Sequence, residues 1–185
     1  MSLNLYAATV PVFQRYLQQL QLILDLAQEH LRARAQTSGA AGDAALLAQA
    51  EADLLEARLA PDMLPLRSQV QVAGGFVLRA IAPLLGRPVP AFGDYPNSLV
   101  GLQQMLSDRQ SFLTELQPSQ FQAMDEHRII RSDAGQTNIE LPALDFALQF
   151  ALPNFFFHLT CAYAILRQQG VPLSKQDFDG LHRWR

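Results

Sequence analysis

The stretch ALPNFFFHLTCAYAILRQQG, residues 151–170, decides the fold. Leu144, Leu148, Ala151, Phe155, Leu159, Ala162 and Leu166 alternate steps of four and three up to and through it. That is the period of a helix that buries one face. Gly170 and Pro172 end the helix, because glycine accepts a left-handed cap and proline cannot continue the ladder. The wider run over 143–166 is long enough to cross a bilayer, which takes about 20 apolar residues. Asp145, Gln149, Asn154 and His158 interrupt it, however, and no strongly basic flank sets an orientation. Such groups are costly in lipid, so the run reads as a buried helix of a soluble bundle.

Working outward, three further long helices carry the same pattern. Val10, Phe13, Leu17, Leu20, Leu24, Ala27 and Leu31 form one stripe, and Pro11 places the start of the regular helix near itself or kinks the turn before it. QTSGAAGD (36–43) reads as a loop, and residues 43–60 as a shorter crossover helix with Asp43 as N-cap. After Pro61 and Pro65, residues 66–86 give the next long helix, where Gly74 and Gly75 indicate close approach of a neighbour. Asp62 reads as a helix N-cap. Leu99, Leu102, Leu106, Leu113 and Leu116 mark another helix, stopped before Pro118. Between it and the last helix, the short apolar segments around SDAGQ predict a small β-hairpin. In the tail, Phe178 and Trp184 are candidate anchors, and Asp177 is expected to pair with Lys175 or Arg167. An all-α four-helix bundle with a short crossover helix and one small hairpin is the economical assembly.

The chain has 185 residues, which suits one domain over 1–185 with a core that needs no disulfide. Its 14 basic and 17 acidic residues give a net charge of −3, which offers no footprint for nucleic acid or an anionic membrane. The single cysteine, Cys161, and an N-terminus without a signal-peptide pattern point to the cytoplasm.

His158 carries the chemical question. It shares a helix face with Asn154 four residues before it and Cys161 three after. Two histidines four apart on a helix can hold one metal, since both imidazoles project the same way; here the first of those places is asparagine. Cys161 could pair with His158 as a thiolate, but a buried apolar cysteine is the simpler reading. His30, His127 and His182 read as surface residues. Phe155, Phe156 and Phe157 read as core and dimer surface. No phosphate loop, nucleophile elbow or cysteine zinc motif is present.

The segments LYAATVPVFQRYL, RLAPDMLPLRSQVQVA and FALPNFFFHLTCAYAILRQQGVPLSKQDF resemble an uncharacterised bacterial family, a domain of unknown function, within the DinB/YfiT-like metalloenzyme superfamily. The resemblance covers nearly the whole chain and implies an antiparallel four-helix bundle that dimerises. It also implies a divalent metal, zinc or nickel, held by three histidines: one on the second long helix and two, four apart, on the last. Set on that phrase, His158 takes the second place of the last helix, with Leu166, Arg167 and Gly170 matching. Asn154 replaces the other histidine, and Gln69 or Gln71 occupies the region of the third. Amides and an imidazole converging in a bundle can satisfy one another without an ion. The sequence therefore points to a small-ligand-binding homodimer with a pocket drawn from Gln69, Gln71, Asn154, His158 and Cys161 and no cofactor. The alternative is a divalent-metal-dependent enzyme of the thiol-dependent transferase or isomerase type, with His158 as a ligand.

Overall fold

The computed structural model describes residues 4–37, 43–122 and 127–182. The described chain is mostly helical: α1 (Leu5–Thr37), α2 (Ala44–Glu56), α3 (Leu66–Leu84), α4 (Leu99–Thr114) and the short α5 (Ser119–Gln122) lead into a hairpin, β1 (Ile129–Asp133) and β2 (Asn138–Pro142). There follow α6 (Ala143–Asp145), a π-helical segment (Phe146–Ala151), α7 (Leu152–Gln168) and α8 (Lys175–Asp179). The four longest helices, α1, α3, α4 and α7, share one core in which α3 packs most extensively on α7, and α1 on α4. Phe13 and Phe155 meet edge to face at its centre, with ring centroids 4.9 Å apart, a geometry that adds about 1 kcal/mol to the burial itself. Where α1 and α4 cross, Gln103 and Gln110 donate to the backbone carbonyls of Gln21 and Gln14.

The hairpin is antiparallel, with Ser132 opposite Ile139, and Gly135 at φ +86° turns the chain. Asp43 caps α2 by accepting from the backbone N–H groups of Ala45 and Leu46. At Gly74, an added Cβ would lie 2.8 Å from the Met105 methyl, so this glycine is where α4 closes on α3. No helix among the described residues is long and apolar enough to cross a membrane.

Several local expectations are corrected. α1 begins at Leu5, before Pro11, which sits inside it. Asn4 accepts from Ala7 N–H at the start, and Tyr6 packs edge on against Phe121, so the first turn is fixed despite the proline. Asp62 lies in a turn; the residue preceding α3 is Pro65, which makes no side-chain cap bond. Asp177 accepts from Ser174 N–H in a capping box at α8. Phe178 packs against Tyr16 and Tyr163; Trp184 lies outside the described residues.

The largest departure is in the last helix. Leu148 is 40% exposed, while Ala143, Phe146 and Ala147 are buried. The π-helical segment explains the shift. Pro153 has no N–H for an α-type bond to Gln149, and the ladder there widens to five-residue steps, with Leu152 N–H reaching Ala147 O. A wider turn moves the buried face off the α-helical stripe.

Candidate functional site

α3 and α7 bring together two of the residues singled out from the sequence. Gln69 lies in the first turn of α3 and is 1% exposed. Its amide nitrogen donates to Leu64 O at 3.2 Å, which turns its carbonyl oxygen towards α7. That oxygen lies 2.7 Å from His158 Nδ1. The amide orientation makes Nδ1 the protonated nitrogen and leaves the lone pair of the ring on Nε2. The imidazole stacks on Phe76 at 6.0 Å and meets the edge of Phe157 at 5.1 Å. The Phe76 ring also receives the Arg79 guanidinium at 4.8 Å, a cation–π contact. Burial, and secondarily the charge of Arg79, push the His158 pKa below its ordinary value. Neutral imidazole is the resting form near neutral pH.

The other named residues go elsewhere. Asn154 is half-buried and donates to Phe150 O at 2.8 Å, one turn back on its own helix beside the π-segment. It bonds neither Gln69 nor His158. Cys161 is buried and free, and burial raises its thiol pKa, which disfavours the thiolate. Gln71 is exposed on a different side of α3, where it lines a cavity. His30 lines a second cavity between α1 and α2. His182 bonds the buried Asp179, which also accepts from the backbone N–H groups of Leu181 and His182. The Leu181 bond leads in holding the Asp179 carboxyl below its usual range.

The cavity at Gln71 has a volume of 350 Å³ and lies between α3, α4 and the 87–98 connection. Arg79, Phe92, Asp94, Tyr95 and Arg109 line it with Gln71. Arg109 is 5% exposed, donates to Phe92 O and lies 5.9 Å from the Tyr95 ring centre. Tyr95 donates to Asp108 at 2.5 Å, and that bond raises the phenol pKa most, with burial adding to it and Arg109 opposing. The sequence reading passed over Arg109. Its signal was present, because 102, 105, 106, 109 and 113 form the buried stripe of α4 and a cation occupies the fourth place.

The donor set fits a resident zinc or nickel poorly. A tetrahedral or octahedral site needs several imidazole, thiolate or carboxylate donors, and no cluster of three or more such residues exists among the described residues. At the Gln69–His158 pair, Nδ1 and the glutamine oxygen are already committed to each other, and the Asn154 amide nitrogen is committed to the backbone.

A family model described as "Domain of unknown function (DUF1993)" matches residues 5–179. The chain belongs to that family. It is also similar to the crystal structure of a DinB family member protein from Shewanella denitrificans. The two are 30% identical, the match covers 98% of this chain and 94% of that one, and the TM-score is 0.77. A DUF1993 chain of DinB-like fold is the identity that the residues of the last helix pointed to. No curated protein matches it.

Proposed function

We propose that this DUF1993 chain is one DinB/YfiT-like four-helix-bundle domain that works as a homodimer and binds a small molecule, with an amide–imidazole pair standing where the wider superfamily is expected to hold a metal. The observation that carries the reading is the 2.7 Å contact between Gln69 Oε1 and His158 Nδ1. It turns a ligand position into half of a closed polar pair, and a single ring lone pair remains. The 350 Å³ cavity beside Gln71 supplies the binding volume, within the size range of small-molecule sites. Exposed Leu148 and Phe157 support a second copy of the chain as partner.

The test is elemental analysis of protein purified without an affinity tag, repeated on His158→Ala. Substoichiometric zinc and nickel in both, with unchanged circular dichroism, is the expected result. Stoichiometric metal that disappears in His158→Ala would overturn the reading in favour of a divalent-metal-dependent enzyme. Sedimentation equilibrium tests the dimer, and a monomer at micromolar concentration would remove that part.

A further inference from the structure

The charges around the cavity at Gln71 do not balance. The lining includes two arginines, Arg79 and Arg109, and one carboxylate residue, Asp94. Among the described residues, no carboxylate lies within ion-pairing distance of either arginine. Arg79 spends one donor on Asp133 O in β1 and rests on Phe76. Arg109 spends one on Phe92 O and also bonds the Tyr95 hydroxyl, while its Nε–H finds no acceptor. A guanidinium has five donors, and one that is 5% exposed with an unmet N–H costs free energy until an acceptor arrives. Two carboxylates next to the lining are engaged elsewhere: Asp108 accepts from the Tyr95 hydroxyl, and Asp133 accepts from Gly135 N–H. Apolar surface completes the cavity: Val72, Met105 and the exposed ring of Phe92, which lies 3.5 Å from where a Cβ on Gly75 would be.

We infer that this cavity binds a small organic carboxylate, its carboxyl group held by Arg79 and Arg109 and its flat apolar body lying along Phe92 and Val72. The proposal rests on the small-ligand reading above and names the ligand class for it. A single negative charge matches the lining, two cations against one anion, whereas a phosphate dianion would overshoot it and meet Asp94. Carboxylate geometry also matches the planar fork of arginine.

Calorimetric titration with three probes of one shape tests this: benzoate, phenyl phosphate and benzyl alcohol. Benzoate is expected to bind at least about tenfold more tightly than benzyl alcohol, which corresponds to one charge-assisted contact. Arg79→Gln removes one cation from a half-buried site, and Gln71→Trp fills the cavity from an exposed position; each is expected to weaken benzoate binding about tenfold or more. Arg32→Gln, which makes the same charge change on the exposed face of α1, is expected to leave it unchanged. Equal binding of benzoate to all variants, or equal binding of benzoate and benzyl alcohol, overturns the carboxylate proposal; the second result leaves small-ligand binding standing. Tighter binding of phenyl phosphate than benzoate reassigns the site to phosphate and overturns it too. If none of the three probes binds, both the ligand class and the small-ligand reading fall.

Discussion

Replacing Gln69 by leucine keeps the side-chain size and removes both of its bonds. Leu64 O sits on an exposed residue, and water can take over there. The His158 Nδ1–H is different, because the imidazole is half-buried between Phe76 and Phe157 and loses its acceptor. Leaving such a donor unpaired costs about 1–3 kcal/mol. For a chain of this size, the middle of that range corresponds to a fall in Tm of about 4–8 °C. His158→Phe alone strands the glutamine oxygen instead, at a residue 1% exposed, with a similar cost. The double variant Gln69→Leu/His158→Phe leaves nothing polar to satisfy, so its loss is expected to be smaller than the sum of the singles by about 1–2 kcal/mol. Urea unfolding followed by circular dichroism measures this, at a pH well above the ordinary histidine range and with equal m-values across the set. Strict additivity would refute the pairing.

Further expectations follow from individual positions. His158 is neutral in the folded protein with a lowered pKa, so its contribution is fully present above the ordinary histidine value of 6.5. It is lost as the pH falls from there through the lower folded value, because the unfolded chain takes up the proton first; stability of His158→Phe is expected to fall less over that window. Two glycines should respond oppositely to alanine. At Gly101 a Cβ would lie 2.0 Å from Pro96 O, a backbone atom, so Gly101→Ala is expected to cost about 2 kcal/mol or more. At Gly75 the new methyl would meet only the Phe92 ring at 3.5 Å, and Gly75→Ala should gain up to about 1 kcal/mol in helix propensity. Thermal melts of the two variants decide this, and a loss at Gly75 would contradict the geometry. Cys161 should react with a thiol reagent only as fast as the chain unfolds, since it is buried and its thiol pKa is raised; rapid stoichiometric labelling of folded protein would refute this.

The helices were legible because their stripes are long and regular, and the capping residue Asp43 and the hairpin around Gly135 announce themselves locally. What misled was proline. Inside α1, Pro11 is absorbed by a turn held from both sides, and in the first turn of α7, Pro153 is absorbed by a change of helical step just before it that no fixed period anticipates. Leu148 therefore lies outside the core although it fits the stripe. The site divides along the same line. Gln69 and His158 stand 89 positions apart in the chain, and only the resemblance, which sets its ligand positions on the second long helix and on the last, links them before the fold is known. Gln71, two residues from Gln69, turns to another face of α3, as a helix requires. The cavity there was hidden because one of its walls, Phe92 to Tyr95, comes from RPVPAFGDYPN, whose prolines read as mere connection, and because Arg109 sits in a row of leucines where a charge looks like an interruption.

The π-helical segment at Phe146–Ala151 has a consequence for how this chain tolerates change in its length. A wide turn takes up one more residue than an α-turn while the helix on either side keeps its direction. Removing a single residue from 146–151 would therefore close the segment into an ordinary turn, without swinging His158 away from Gln69 or the hairpin away from Arg79. The same deletion one turn later, within α7, would rotate every following side chain by about 100° and carry Leu159, Ala162 and Leu166 out of the core. Indels along one continuous rod would thus be accepted or rejected by the local pitch they fall in.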